Sequence, residues 1–313
     1  MILDDIQLFQ KLLERSPFSA RELTVLIETA PARYKDHYIQ KRHGRGMRLI
    51  SQPSSEIKFL QRLIVAYELC DVPIHDAAIA YQTGRSIKDH ALPHANGRYL
   101  LKLDFKDFFP SLRADTLKYR LGRDKNFSDI ELWILCQLLC RRNRKTGKLE
   151  LSIGAPSSPF ISNYLLWEFD SLLTSFCSKL DVRYTRYADD LAFSTSKPKV
   201  LDEVQEKVSS LLRDLDYLGV SLNQDKTVNV SKKNQRTLTG LRLSNDGAVS
   251  IGRDKKRKLR AIMHAFSQNQ LLAEEVNQLR GKLAFVFSVD PEFVTTLLKK
   301  YNLKKISDID LGI

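Results

Sequence analysis

Residues 182–195 read VRYTRYADDLAFST, two β-rich runs around an acidic pair. The runs Val182–Tyr187 and Leu191–Thr195 are rich in β-branched and aromatic residues, which predicts two strands joined by a tight turn. The turn carries Asp189 and Asp190. Aspartate is common in turns for structural reasons alone. Two adjacent carboxylates repel each other, however, unless a cation shares them. The stretch therefore predicts a sheet with a cation site at the tip of one hairpin.

A third acidic residue ends an apolar run earlier in the chain. Residues 99–105 alternate in polarity, which predicts a strand with Leu101, Leu103 and Phe105 on one face and Asp104 on the other. A carboxylate beside such apolar neighbours needs a partner. Three carboxylates from two strand ends can hold two Mg²⁺ ions, with Mn²⁺ as a substitute, because hard cations prefer oxygen ligands. Two such metals support in-line displacement at phosphorus.

The charge of the chain is strongly basic and unevenly distributed. The formal net charge is +13, and residues 225–305 alone carry a net +10. Residues 33–48 hold six Lys or Arg against one acid. Two basic segments around a more balanced middle predict a nucleic acid held from two sides. The chain has no Walker phosphate loop, which disfavours an ATPase. A metal-dependent polymerase or nuclease fits this charge pattern.

Five segments resemble, in order and spacing, the motifs of reverse transcriptases: LDFKDFFPS at 103–111, GAPSSP at 154–159, YADD at 187–190, GVSLNQDKT at 219–227 and TLTGL at 237–241. The resemblance covers roughly residues 30–305. It implies an α+β right-hand polymerase fold with fingers, a palm of antiparallel sheet packed on helices, and a helical C-terminal thumb. It also implies RNA-directed DNA polymerase activity.

The resemblance assigns roles to individual residues of the predicted metal site. Asp104, Asp189 and Asp190 would be catalytic and would bind the metals, with the backbone of Phe105 assisting. Phe109 would be a steric gate whose ring blocks a 2′-OH and so selects deoxynucleotides. From the residues alone, without the motif, a core aromatic is the favoured interpretation of Phe109.

Further positions are expected to contact the incoming nucleotide. Lys41 and Arg48 match residues of the fingers that hold the triphosphate. Gly154 belongs to the G-x-P-x-S-P loop, and Lys226 is a candidate proton donor to pyrophosphate. Reverse transcriptases usually carry Gln immediately before that loop, where this chain has Ile153. The difference removes an amide contact near the nucleotide and puts fidelity or rate in question.

Within that family, the compact form resembles a bacterial retron reverse transcriptase. Residues 90–94, HALPH, are similar to the retron N-A-x-x-H element, with His in place of Asn. Residues 238–240, LTG, are similar to the retron V-T-G triplet, with Leu in place of Val. Residues 251–253, 280–283 and 288–290 are similar to the retron C-terminal region.

The retron resemblance implies a specific reaction and specific partners. Such an enzyme recognises its own structured non-coding RNA, starts DNA synthesis from the 2′-OH of an internal guanosine, and makes RNA-linked single-stranded DNA (msDNA). The resemblance also implies antiphage defence with an effector protein. Four basic residues suit folded RNA, where shape and phosphates matter more than base edges, namely Arg253, Lys256, Arg257 and Arg260.

Three segments are expected along the chain. Residues 1–30 should be helical, with a capping box from Ser19 to Glu22. Residues 31–245 would form fingers and palm, beginning with a basic hairpin whose turn lies near residues 43–48. Residues 246–313 would form a helical thumb that binds RNA, because apolar stripes with helical spacing replace strands beyond residue 252.

The remaining features concern location and alternatives. No apolar run is long enough to cross a bilayer, and the N-terminus lacks the features of a signal peptide, so a cytoplasmic protein without membrane contact is expected. The four cysteines lack zinc spacing and are expected to be reduced thiols. Two other functions stay open: another small bacterial reverse transcriptase, serving defence or diversity generation, and a non-catalytic RNA-binding scaffold of the same fold.

Overall fold

The computed structural model describes residues 3–40 and 46–310. The chain begins with helices α1 (Gln7–Glu14) and α2 (Ala20–Thr29). Ser19 caps α2 through the predicted box, since its backbone N–H donates to the Glu22 carboxylate at 2.8 Å and its hydroxyl accepts from the Glu22 N–H. The apolar faces of both helices lie in the same hydrophobic core as the central sheet.

The basic hairpin forms as predicted from β1 (Tyr34–Gln40) and β2 (Met47–Pro53), which pair antiparallel. The loop residues 41–45, including Lys41, lie outside the described residues. Helix α3 (Ser55–Leu63) follows and runs into one π-helical turn, Ile64–Glu68. The short helix α4 (Ile87–Ala91) then leads to the central sheet.

The middle of the chain alternates strands and helices, which are β3 (Tyr99–Asp104), α5 (Phe108–Ser111), α6 (Ala114–Asp124), α7 (Asp129–Leu139), β4 (Arg141–Arg142), β5 (Leu149–Glu150), α8 (Ser158–Leu165), α9 (Trp167–Lys179), β6 (Arg183–Tyr187), β7 (Asp190–Thr195), α10 (Val200–Asp214) and β8 (Val228–Ser231). Four of these strands form an antiparallel sheet in the order β6-β7-β3-β8. The predicted hairpin of residues 182–195 is therefore confirmed, and β3 lies at the centre of the sheet.

The two faces of the central sheet belong to different cores. Leu101 and Leu103 of β3 face the main core, as their alternation predicts, together with helices α7, α8, α9 and α10. Leu100 of β3 and Ala192 of β7 face a second core. Because successive side chains of a strand point to opposite faces, Asp104 shares its face with Leu100.

The C-terminal part of the chain builds that second core. Its elements are β9 (Arg236–Leu238), β10 (Leu241–Leu243), β11 (Val249–Ser250), α11 (Arg253–Ser267), α12 (Ala273–Val289) and α13 (Pro291–Lys300). The three strands form a small antiparallel sheet in the order β11-β10-β9. The helical end beyond residue 252 is thus confirmed. The segment boundaries at 30/31 and 245/246 stay predictions.

The structure also bears on the expectations about the cysteines and about membrane-spanning segments. Cys136 and Cys140 are buried at the end of α7, while Cys70 is exposed. No helix within residues 3–40 and 46–310 is both long and apolar enough to cross a bilayer.

Candidate active site

The turn between β6 and β7 brings the three predicted catalytic carboxylates to one end of the sheet. Tyr187 pairs with Asp190, so the turn holds two residues, and Ala188 adopts a left-handed φ of +56°. Asp104 at the end of β3 is directly opposite Asp190. The Phe105 N–H donates to the Asp189 carbonyl at 3.0 Å. Residues opposite each other in an antiparallel sheet lie about 5 Å apart at Cα, so the acids form one group.

Electrostatics at this end of the sheet disfavour three free negative charges. Partial burial, followed by the charges of Asp189 and Asp104, raises the pKa of Asp190 to about 6. Burial and the charge of Asp104 also raise the pKa of Asp189. The positive charge of Lys226 opposes both shifts. A cation placed between the carboxylates would relieve the repulsion.

Lys226 provides a positive charge beside Asp104. Its Nζ donates to both Asp104 carboxylate oxygens, at 2.9 and 2.8 Å. The adjoining backbone is fixed by the Asn223 N–H, which donates to the Asp104 carbonyl at 2.7 Å. Within the described part of the chain, no three His, Cys, Asp or Glu side chains converge into a ready metal site. The carboxylate oxygens still suit a hard cation, which would compete with the Lys226 ammonium for Asp104.

The predicted gate residue lies on the short helix that follows the strand of Asp104. Phe109 is part of α5, which follows Asp107, a residue in the left-handed region at φ +45°. Its ring centroid is 5.2 Å from that of Phe108 and 6.3 Å from that of Tyr81. Phe109 is half-buried, so one part of the ring packs in the core and another part is exposed. The packing agrees with a core aromatic, and the role of Phe109 as a gate stays a prediction.

Arg48 of β2 is exposed, and its charge acts on the site. The guanidinium lowers the pKa of both Asp189 and Tyr81, opposing the larger effect of burial on each. Its expected partner Lys41 is outside the described residues.

The Gly154 loop contacts the fingers hairpin in this structure. Gly154 has φ +121°, and a Cβ on it would lie 2.9 Å from the Ser51 carbonyl oxygen. The neighbouring Ile153 carbonyl accepts from the Ser51 N–H at 2.8 Å, and the Ser152 hydroxyl donates to the Ser51 carbonyl at 3.1 Å. Glycine is therefore required here because the loop and β2 approach closely. The role of Gly154 toward a nucleotide stays a prediction.

The histidines of residues 90–94 are fully buried behind the hairpin. His94 is hydrogen-bonded through Nε2 to the Thr185 hydroxyl and through Nδ1 to the Ser194 hydroxyl, both at 2.8 Å. His90 Nδ1 lies 2.7 Å from the same Thr185 hydroxyl. Burial lowers the pKa of His90 to about 4 and that of His94 to about 3, so both are neutral at pH 7. They link β6 to β7.

A buried ion pair near the turn was missed by the sequence reasoning. Arg186 and Asp170 are both fully buried and form a two-pronged salt bridge, with a shortest distance of 2.6 Å. Another Arg186 nitrogen donates to the Ala188 carbonyl inside the catalytic turn at 3.1 Å. One signal was available: Arg186 alternates with Tyr184 and Ala188 on one face of a predicted strand, where a charge needs a partner.

The four predicted RNA-binding residues of α11 differ in their contacts. Lys256 forms a 2.6 Å salt bridge with Asp290 of the loop before α13. Lys256 and Arg260 also both lie over the Phe293 ring. Arg253 and Arg257 are exposed, and Arg257 makes a surface pair with Asp254 of its own helix. Arg253 and Arg257 are thus the more available for an external polyanion.

Comparison with known proteins decides the family. Residues 39–243 match the family model described as "Reverse transcriptase (RNA-dependent DNA polymerase)". The retron Ec83 reverse transcriptase of Escherichia coli is 39% identical over 92% of this chain and 93% of its own length. The chain belongs to the retron reverse transcriptases. The retron Ec73 reverse transcriptase of Escherichia coli is also similar, with 33% identity over 84% of this chain and 85% of its own length.

Membership of this family confirms two predictions from the sequence, the enzyme class and the fold. This retron reverse transcriptase is an RNA-directed DNA polymerase with the right-hand polymerase fold. The apo telomerase of Candida tropicalis shares the fold, with a TM-score of 0.50 over 85% of this chain and 58% of that one. Identity to it is 17%, so this likeness concerns the fold alone.

Proposed function

We propose that this enzyme reverse transcribes part of its own structured non-coding RNA, starts from the 2′-OH of an internal guanosine, and releases RNA-linked single-stranded DNA. The main support is the likeness to retron reverse transcriptases over nearly the whole chain. The arrangement of Asp104 opposite Asp190, with Asp189 tied to Phe105, supplies the acidic site that such chemistry needs. The buried histidines of residues 90–94 belong to the same resemblance.

The three carboxylates, with the backbone of Phe105 nearby, are proposed to hold two Mg²⁺ ions, which Mn²⁺ could replace. Bound there, the ions would activate the attacking hydroxyl and stabilise the leaving pyrophosphate. The protein supports the same reaction with its own groups. Lys226 donates hydrogen bonds to Asp104 and has an ammonium that can turn to a pyrophosphate oxygen and give up a proton.

The incoming nucleotide is proposed to bind between Phe109, Arg48 of β2 and the loop that carries Gly154. The half-buried Phe109 ring leaves no hydrogen-bond partner for a 2′-OH, so a ribonucleotide would lose hydration there without compensation. Arg48, with Lys41 from the hairpin loop, would hold the triphosphate of a dNTP. Gly154 would act by keeping the loop close to β2.

The RNA and protein partners are proposed from the retron likeness and from charge. The cognate RNA would contact the thumb, residues 246–313, through exposed Arg253 and Arg257, with Lys256 and Arg260 close behind them over Phe293. Residues 31–245 would form fingers and palm behind the N-terminal helices of residues 1–30. An effector protein and antiphage defence, in the cytoplasm where the RNA is made, complete the proposal.

The product of the reaction gives the sharpest test. The protein would be purified from its native operon, and its nucleic acid analysed before and after RNase and after a 2′,5′-debranching enzyme. We expect a DNA whose 5′ end resists labelling until debranching and whose size falls after RNase. DNA with a free 5′ end, or RNA without DNA, would refute msDNA synthesis. DNA copied from an RNA other than the enzyme's own non-coding RNA would then indicate another kind of small bacterial reverse transcriptase, serving defence or diversity generation.

The catalytic carboxylates are tested by charge removal at constant shape. Asp189→Asn and Asp190→Asn should each abolish dNTP incorporation while RNA binding by gel shift persists. Asp216→Asn is the matched control, because Asp216 is exposed and forms no ion pair with any residue within 3–40 and 46–310. Substantial DNA synthesis by either active-site variant would contradict the assignment, and loss of RNA binding as well would indicate misfolding.

The RNA-binding surface is tested by salt dependence. The double variant Arg253→Ala/Arg257→Ala should weaken binding of the cognate RNA and flatten the plot of log affinity against log salt by roughly two phosphate contacts. Lys179→Ala/Lys199→Ala removes the same charge at the ends of α9 and α10 and serves as the control. Equal slopes in all three proteins would contradict the proposed surface.

A further inference from the structure

The buried Arg186 joins the catalytic turn to a segment that the motifs do not include. Arg186 N–H donates to the Ala77 carbonyl at 2.7 Å, and the Arg186 carbonyl accepts from the Ile79 N–H at 2.8 Å. Residues 77–79 thus run along β6 through a parallel bridge between Ala78 and Arg186. The segment has no side chain that signals a function, and backbone bonds alone place it beside the turn.

A side-chain network reinforces this connection. One guanidinium nitrogen of Arg186 donates to both the Ala188 carbonyl and the Asn163 side-chain oxygen, each at 3.1 Å. The Asn163 amide then donates to the Ala80 carbonyl at 2.8 Å. Asp170 holds the guanidinium in place from the other side. Because all of these groups are buried, the catalytic turn and residues 77–80 are held as one rigid body.

Tyr81 follows this segment directly, and its conformation is costly. Its φ of +67° is a left-handed backbone that bulky side chains rarely adopt. Its side chain is not buried in exchange, since the residue is 50% exposed. Strain of this kind persists when the surrounding structure enforces it, and it is concentrated at functional sites. The bonds to Ala77, Ile79 and Ala80 are the enforcing contacts.

The Tyr81 ring faces the proposed nucleotide site. Its centroid is 6.3 Å from that of Phe109, with 47° between the ring planes. Burial and the negative charge of Asp189 raise the pKa of the Tyr81 hydroxyl, and the positive charge of Arg48 opposes this shift. Tyr81 therefore packs beside Phe109 and directly follows the segment that Asn163 and Arg186 connect to the Asp189 turn. Two tilted rings at this separation form an apolar corner that is open on one side.

We propose that Tyr81 is a specificity-determining residue whose ring, together with that of Phe109, packs against the sugar of the incoming deoxynucleotide. Three positioning residues keep the two rings at a fixed position relative to the catalytic turn, namely Arg186, Asp170 and Asn163. The proposal rests on the nucleotide site described above around Phe109. An apolar corner favours the C2′ methylene of a deoxyribose over a hydroxyl, which would find no partner there.

Steady-state kinetics on a fixed RNA template tests the contact. Tyr81→Gly removes the ring and relieves the left-handed strain, so the fold should be retained. We expect the KM for dNTP to rise about tenfold, the preference for dNTP over rNTP to fall severalfold, and kcat to change less. Tyr81→Phe keeps the ring and should stay within twofold of the parent protein. The control is Tyr119→Ala, because Tyr119 is also 50% exposed but lies on α6.

The outcomes separate this proposal from the one on which it rests. If Phe109→Ala admits ribonucleotides while Tyr81→Gly leaves KM and selectivity unchanged, the role of Tyr81 is overturned and the gate stands. If neither variant changes selectivity, the nucleotide site itself is refuted. A fall in the fraction of active enzyme at unchanged KM would show a merely structural role for Tyr81 and would also overturn the proposal.

A double-variant cycle tests the positioning role. Asn163→Ala removes the bond to the Ala80 carbonyl and should raise the KM for dNTP in the same direction as Tyr81→Gly. If Asn163 acts through Tyr81, the combined variant should have a KM close to that of Tyr81→Gly alone. Multiplied effects of the two substitutions would overturn the positioning role, and circular dichroism of each protein would verify that it is folded.

Discussion

Removing one catalytic carboxylate should stabilise this enzyme in the absence of divalent metal. Asp190 is held opposite Asp104 and next to Asp189, and its pKa is raised to about 6 from an ordinary 3.8. A shift of two pKa units means that the folded protein destabilises the ionised carboxylate by about 3 kcal/mol. Asp190 is only partly buried and the residue keeps a large surface exposed to water, so the solvent screens much of this repulsion, and about 1 kcal/mol is a better expectation for Asp190→Asn at pH 7.5.

The sign of the effect follows from proton binding. Because the folded pKa of Asp190 is above the unfolded one, the folded state binds more protons between pH 4 and 6, and its stability falls as the pH rises through that window. Asn does not titrate. The gain in the free energy of unfolding of Asp190→Asn over the parent protein should therefore be absent below about pH 4, grow up to about pH 6, and stay constant above pH 7.

Urea unfolding in EDTA, followed by circular dichroism at several pH values, measures this difference. Asp216→Asn, which changes an exposed acid, should leave the free energy of unfolding unchanged. Adding Mg²⁺ should stabilise the parent protein by about 1.4 kcal/mol at ten times its dissociation constant and should stabilise Asp190→Asn less. An Asp190→Asn protein that is equally stable or less stable than the parent in EDTA at pH 7.5 would refute the reasoning.

Three further substitutions test neighbouring contacts. Gly154→Ala places a methyl group against the Ser51 carbonyl at φ +121° and should lower the free energy of unfolding by about 2 kcal/mol; an unchanged urea midpoint would contradict the close approach. His94→Ala leaves a cavity and an unpaired Ser194 hydroxyl and should cost about 3 kcal/mol by the same assay, whereas a loss under 1 kcal/mol would show that the link between β6 and β7 is unimportant. Lys226→Gln should lower kcat about 100-fold; an unchanged kcat would exclude Lys226 as the proton donor.

The sequence predicted the parts of the site that depend on local pattern. Alternating polarity in residues 99–105 and the β-rich runs around Asp189 and Asp190 were sufficient to predict the strands of the palm. Ser19 and Glu22 formed the expected capping box, since that motif involves only residues within one helical turn. The order and spacing of the motifs gave the family, and the matching family model and relatives confirmed it.

Other features depended on contacts between residues distant in sequence. Tyr81 lies beside Phe109 only because backbone bonds to Arg186 align residues 77–79 with β6, more than 100 positions away. The pairing of Arg186 with Asp170 likewise joins a strand to the preceding helix. A motif records which residue types occur at fixed spacing, whereas these positions are set by packing in three dimensions.

The amino-acid sequence by itself determined the basic character and the retron family and predicted the three acids of the proposed active site, because each is expressed in residue identity, charge or spacing. The tertiary structure alone decided how the acids are surrounded: Lys226 bonded to Asp104, the neutral histidines linking β6 to β7, and Tyr81 held next to the gate. Those relations depend on burial and on distances between separate elements, and folding is what creates both.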